Sequence, residues 1–182
     1  MRGVVPLLIS ALMGVFTPLQ GQTAAAGPGI QLRQAVLDGS YTSAVPSLGD
    51  GPRCVVMDWA DDGRVVTLVA FDDGTTSLYF NQGGGILGMG ADEAVRGSAN
   101  AFREQAAQSL ESFHAESAFD LPPAGIIVFF IVNDSGTLGS GRIKVEELES
   151  GRHALSPLGA KGLRTITAVQ SAFKAMQQGG TE

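Results

Sequence analysis

Residues 54–90 read CVVMDWADDGRVVTLVAFDDGTTSLYFNQGGGILGMG, and the fold follows from that stretch. Three apolar runs, residues 55–60, 65–71 and 75–80, are rich in Val, Thr, Tyr, Phe and Trp. Such side chains fit a pleated, half-buried surface. The separators are Asp61-Asp62-Gly63-Arg64 and Asp72-Asp73-Gly74. Asp-Gly supplies the positive φ of a tight hairpin turn. A connection this short cannot make a parallel crossover, which needs a dozen or more residues. The three runs are therefore predicted to form an antiparallel meander. Leu78 and Phe80 alternate with Ser77 and Tyr79, which gives the third strand one drier face.

Working outward, residues 91–114 predict a helix, with Val95, Ala99, Phe102, Ala106, Leu110 and Phe113 on one stripe. Asp92 and Glu93 suit its positive N-terminal end. Leu121-Pro122-Pro123 stops any continuation. Residues 126–132 read IIVFFIV, the pattern of a strand buried on both faces, so a central place in the sheet is expected. After the turn Asn133-Asp134-Ser135-Gly136, a strand over residues 137–147 is expected, with Ile143 and Val145 alternating with Arg142, Lys144 and Glu146. Residues 147–159 read as irregular. Leu163, Ile166, Val169, Phe173 and Met176 mark a second amphipathic helix over 161–178. Ahead of the meander, residues 30–38 predict a short helix with Leu32, Ala35 and Val36 on one side and Gly39 at its end. Residues 40–52, rich in Ser, Gly and Pro, read as loop. The expected class is α+β: a five-stranded, mainly antiparallel sheet with helices packed on it.

The 182 residues suggest one domain, 53–178, with a short helix and linker over 27–52, a tail from 179 and an N-terminal extension. Residues 1–26 carry Arg2 as their one charge, an apolar run from Val4 to Phe16, and Ala24 and Ala26 in a small-x-small site. These are the three parts of a secretory signal peptide. The run is short for a spanning helix and is interrupted by Pro6 and Pro18. Export to the periplasm or medium is expected, with no stable membrane span after cleavage. The alternatives are an uncleaved membrane-associating segment or an upstream extension, which would leave the protein in the cytoplasm. With 12 basic and 18 acidic residues and no dense Lys/Arg run, the chain is a poor nucleic-acid binder. Its single cysteine excludes an intrachain disulfide.

The order of three meander strands, a helix, two strands and a helix resembles the roadblock, longin and profilin-like group of five-stranded domains. The phrases CVVMDWADDG, LVAFDDGTTSLYF and GRHALSPL also resemble a group of small uncharacterised bacterial proteins, which brings no activity with it. The first resemblance implies a protein-binding role, often as a dimer.

Residue by residue, the sharpest chemical candidate is the glycine loop. Gly83, Gly84, Gly85, Gly88 and Gly90 follow a strand, precede a helix and fit G-x-G-x-x-G. Backbone N–H groups there are placed to cradle an anion. A dinucleotide site fails on context, because hairpins precede the loop and the next strand ends near Asp134, far beyond the ~20 residues the motif needs. The structural reading is a close-packed strand-to-helix turn. The carboxylates Asp58, Asp61, Asp62, Asp72 and Asp73 do not fit a calcium loop, since Ala60 and Val69 stand where ligands belong. Adjacent hairpin tips remain a way to gather oxygens; solvated turns are the simpler reading. His114 is expected at a helix end, against the dipole, and His153 in a surface loop; no zinc spacing exists. There is no G-x-S-x-G and no S-x-x-K, and Cys54 reads as a buried inert thiol, with a Cys–His pair assembled in space as the alternative. Asp58, inside a strand between Met57 and Trp59, needs a partner if buried, and Arg53 and Arg64 are the candidates; the other reading is a carboxylate facing water at the sheet edge. The basic residues Arg142, Lys144, Arg152, Lys161 and Arg164 are interleaved with Glu146, Glu147 and Glu149, a mixed solvated face. The function expected from all this is a non-enzymatic interaction module that binds another protein or itself, without cofactor or metal. An anion or small-ligand domain using the glycine loop is the second reading, and a hydrolase the third.

Overall fold

The computed structural model describes residues 27–42 and 51–179. The expected signal peptide, most of the loop before the meander and the last residues of the tail lie outside these.

The meander forms as its turns dictate. β1 (Cys54–Asp61), β2 (Arg64–Phe71) and β3 (Thr76–Phe80) are antiparallel neighbours. Asp61 faces Arg64 across a two-residue loop in which Asp62 and Gly63 both take positive φ, 46° and 74°. That is the geometry whose twist matches the flanking strands. At the other end of β2, Asp73 accepts the Thr75 N–H and Gly74 takes φ 85°. β4 (Gly85–Ile86) adds to β3. Beyond it, α2 (Glu93–Gln108) is capped by Asp92, whose carboxylate accepts the Val95 N–H. β5 is His114–Ala115, β6 Ile126–Asn133, β7 Gly136–Gly139 and β8 Ile143–Lys144. α3 (Val145–Glu149) and α4 (Ser156–Gly179) complete the chain, and α1 (Pro28–Leu37) precedes it all. Among the described residues the sheet has eight strands in the order β4-β3-β2-β1-β6-β7-β5, with β8 also on β6, and every pairing is antiparallel.

The class is the expected one, and the strand number is not. β4, β5 and β8 are two residues long, too short to carry an alternation. The strand expected over 137–147 is broken. Phe130 faces Gly139 while Ile127 faces Ile143, so residues 140–142 stand opposite residues 128–129. That one-residue excess is a β-bulge, with Gly141 at φ 69°. The chain then turns helical at Val145, which puts Val145 and Leu148 on one face. The long helix also ends early. Its last residue is Gln108, a 3-10 turn follows over Leu110–Ser112, and His114 sits on edge strand β5, exposed, not at a helix end. Leu110 is accordingly 46% exposed although it continues the stripe. α4 starts at Ser156, inside the stretch read as irregular, and its stripe runs through Leu158, Gly162, Ile166, Val169 and Ala172, leaving Met176 outside.

β6 is central, between β1 on one side and β7 with β8 on the other. Phe129 and Phe130 are both buried, and they point into two different cores. On one face Val55, Met57, Trp59, Leu68, Leu78, Phe129 and Ile131 pack under α2 and α4. On the other, Cys54, Val56, Val69, Tyr79, Val128, Phe130 and Val132 pack under α1, with Val36 and Leu37 from the helix. α1 crosses that face from Gly29, packed on Phe80 and Gly84, to Leu37, whose carbonyl accepts the Thr137 hydroxyl. The short helix ahead of the meander therefore belongs to the core.

Candidate functional site

The glycine loop is built to pack. A Cβ on Gly85 would stand 2.6 Å from the Leu78 carbonyl oxygen, and one on Gly90 would strike the Gly74 carbonyl. Gly83, Gly84 and Gly88 take positive φ. The Gly83 N–H donates to the Phe80 carbonyl and the Gly88 N–H to the Ser77 hydroxyl. Those two of the candidate anion donors are thus engaged within the fold.

Asp58 is fully buried, so the water-facing reading is corrected, and its partner is neither Arg53 nor Arg64. It is Arg33 of α1. The Arg33 Nε–H and Nη2–H both donate to Asp58 Oδ2, at 2.9 and 2.5 Å. The Thr67 hydroxyl, directly across β2, donates to Oδ1 at 2.5 Å. Nη1 reaches the Phe119 carbonyl at 2.7 Å, and the guanidinium carbon stands 5.9 Å from the Phe130 ring centre. Both carboxylate oxygens are satisfied, as a buried charge requires. With 0% of Asp58 exposed, the cluster can fasten α1 but cannot meet a substrate. Arg53 instead closes the far end of the sheet, donating to Asp134 and to the Thr42 carbonyl beside Asp72.

The remaining chemical candidates are dispersed. Cys54 is buried, and burial pushes its thiol far above the ordinary range, with the Asp72 charge adding to the effect. A thiol held protonated is a poor nucleophile. His153 Nδ1 accepts the Leu155 N–H in the turn before α4. The two acidic turns sit at opposite ends of the eight-residue β2, about 25 Å apart at strand rise, so they cannot gather around one ion. Among the described residues no group of three His, Cys, Asp or Glu is placed to hold a metal.

What the structure does assemble is an open cleft of about 610 Å³ at the β1–β2 turn end of the sheet. Its making is local. The Pro122-Pro123 step halts the chain, and Gly125 takes φ 77°. The Gly125 N–H donates to the Ala60 carbonyl, and the Gly125 carbonyl receives the Val145 N–H. β8 passes at once into α3, which forms the opposite wall. Trp59, Ala60, Ile126 and Val145 supply apolar lining; Asp61, Lys144, Glu146 and Glu149 supply charge. The volume lies in the range of ligand sites.

Arg33 and the cleft both escaped the sequence. Arg33 had a signal: Gly29, Arg33, Val36 and Leu37 are the buried side of α1, an apolar stripe at helical spacing with one cation in it. The cleft had none, because its walls come from three separate segments. Among the described residues no helix is long and apolar enough to cross a membrane. Compared with known proteins, the chain matches no family model, no curated protein and no solved structure.

Proposed function

We propose that this chain is a non-enzymatic protein-interaction module and that the cleft between the β1–β2 turn, residues 124–126 and α3 is its contact face. One observation carries the reading: Asp61, Lys144, Glu146 and Glu149 border an apolar-lined concavity, and among the described residues none of them is in an ion pair. Export from the cytoplasm is part of the same proposal. α1 begins at Pro28, so cleavage after Ala26 leaves every described element intact.

A photo-crosslinking residue at position 146, in the chain expressed in its native host, tests the contact face. The control is position 104, on the outer side of α2. An adduct to another protein, or one at twice the chain's own mass, at 146 and not at 104 is the expected result. Equal labelling at both positions, or none at 146, overturns the proposal.

A further inference from the structure

The chain has four Asp-Gly pairs, at 38–39, 50–51, 62–63 and 73–74, and all but 50–51 lie wholly within the described residues. Asp-Gly carries a latent reaction. The glycine amide nitrogen can attack the side-chain carboxyl carbon of the aspartate before it, since glycine has no side chain to obstruct the approach. The reaction needs a carboxyl free to be protonated, an amide N–H free of other bonds, and a main chain that can bring the two together.

Two of the pairs are held out of reach. Asp38 Oδ1 accepts both the hydroxyl and the N–H of Ser40, and these bonds keep its carboxyl below the ordinary range. The Gly39 N–H donates to the Val36 carbonyl, and Asp38 caps α1 at φ −83°, ψ −1°. Asp73 is clamped in the same way by Thr75, whose N–H meets Oδ1 and whose hydroxyl meets Oδ2. The Gly74 N–H donates to the Phe71 carbonyl. The Gly74 carbonyl accepts the Thr76 hydroxyl and lies against Gly90, so that peptide cannot turn.

Asp62-Gly63 meets all three conditions. Both residues are exposed, and the next residue is Arg64, not a serine or threonine. Among the described residues neither the Asp62 carboxylate nor the Gly63 N–H has a hydrogen bond. Nothing lies within 4 Å of where a Gly63 Cβ would stand. Positive φ at both positions makes the turn type I′, and a flip of its central peptide makes it type II′, also a hairpin turn. The flip keeps Asp61 facing Arg64 and takes ψ of Asp62 to about −120°. At that angle the Cβ of an L residue eclipses the following nitrogen, the alignment that closes a five-membered ring.

We infer that Asp62-Gly63 is a site of spontaneous isomerisation in the native protein, and that the fold protects Asp38-Gly39 and Asp73-Gly74 from the same reaction. The Gly63 nitrogen bonds to Asp62 Cγ, and its proton leaves with the carboxyl hydroxyl as one water molecule. Solvent water then reopens the cyclic imide at either carbonyl. Opening at the main-chain carbonyl leaves an isoaspartyl link, in which the chain runs through Cβ and Cγ and the α-carboxylate becomes the side group. Nothing is oxidised or reduced, and the product is an isomer of the starting chain. It carries one extra methylene in the main chain of a two-residue turn, beside Asp61 on the rim of the cleft. The site stands whatever the cleft binds.

Trypsin sorts the pairs into separate peptides, 34–53, 54–64 and 65–96. The purified chain is kept folded for several weeks at mildly acidic pH, and a second sample is kept unfolded in guanidinium chloride. Electron-transfer fragmentation of the peptides then distinguishes isoaspartate from aspartate at each position. In the folded chain isoaspartate should accumulate at 62 about tenfold or more faster than at 38 or 73. In the unfolded chain the three rates should converge to within about twofold. A smaller ratio in the folded chain, no isoaspartate at 62, or a ratio that persists in denaturant and so belongs to the local sequence overturns the inference.

Discussion

The two faces of the sheet are held by different physics. Under α2 and α4 the core is dry: Met57, Phe102, Phe129, Leu78 and Leu158 are buried, and the polar side chains are Thr76 and Thr165, whose hydroxyls bond to the Gly74 and Lys161 carbonyls. Under α1 the helix is ten residues long and its apolar contribution is small. There a buried ion pair, Thr67, Ser77, Thr137, a thiol and a phenol share the space with valines and Phe130. Two long amphipathic helices bury enough apolar area to be held by non-directional attraction alone. A ten-residue helix is marginal in water and needs a directional contact to fix its place. Arg33 provides that contact, and its position on α1 sets where the helix lies.

The largest expected effects come from breaking that contact on one side at a time. Arg33→Ala strands a carboxylate in a central strand, where it has no route to water. Asp58→Ala strands a guanidinium on a ten-residue helix laid over the sheet, which can lift away. Removing one partner of a buried pair costs about 3–5 kcal/mol. Arg33→Ala should therefore fall at the upper end of that range and Asp58→Ala below it, in urea unfolding followed by Trp59 fluorescence. Replacing the whole cluster, Arg33→Met with Asp58→Leu and Thr67→Val, should recover most of the loss, because an apolar substitute of similar volume has no charge to desolvate. If the triple variant is as unstable as the single ones, the ion pair is more than a fastener.

The other face should answer to shape. A Cβ on Gly162 of α4 would lie 2.6 Å from Met57 Sδ and 3.2 Å from Phe102, both fully buried. Overpacking a filled core costs about 1–3 kcal/mol, more than the ~1 kcal/mol that alanine gains over glycine within a helix. Gly162→Ala should lower stability by about 1 kcal/mol. Gly97, on the exposed side of α2, has nothing within 4 Å of its missing Cβ. Gly97→Ala should raise stability by about 0.5–1 kcal/mol. Thermal midpoints moving the same way in both variants would show that the contact at Gly162 is looser than its geometry.

The contrast between the faces also explains what could be read from the sequence. The dry face is written in periodicity: Val95, Ala99 and Phe102 in α2, and IIVFFIV in β6, announce burial one residue at a time. The meander is written in its Asp-Gly turns. Where the reading failed, the deciding contacts are distant. Residues 143–146 alternate like a strand, yet Val145 and Leu148 also fit a helix, and the bulge opposite residues 128–129 decides between them. The helix stripe continues to Phe113 in the sequence, but β7 captures residues 114–115 as an edge strand. Asp58 announced the need for a cation; its partner lies 25 residues earlier, on an element whose docking no local pattern fixes. The cleft is the extreme case, since Trp59, Gly125 and Glu149 share no spacing at all.

At neutral pH the faces differ in one more respect that costs nothing there and is read by titration. Cys54 and Tyr79 both lie under α1, and both keep their protons in the fold: burial drives the Cys54 thiol far up, and chiefly burial pushes the Tyr79 phenol up to about 12. In the unfolded chain they ionise near their ordinary values, 9.0 and 10.0. Below pH ~9 neither state has lost these protons, and their contribution is constant. Above that pH the unfolded chain binds fewer protons than the native one, so stability must fall as pH rises. Equilibrium unfolding from pH 7 to 11 should show a flat region followed by a decline beginning near pH 9 and steepening above 10. Cys54→Ala should flatten the first part and Tyr79→Phe the second, after each curve is referred to its own stability at pH 7. Among the described residues the face under α2 and α4 buries no cysteine, tyrosine or lysine, so Gly162→Ala should shift the whole curve down without changing its slope. A slope that survives in the double variant Cys54→Ala with Tyr79→Phe would mean that groups elsewhere in the molecule govern the alkaline limit.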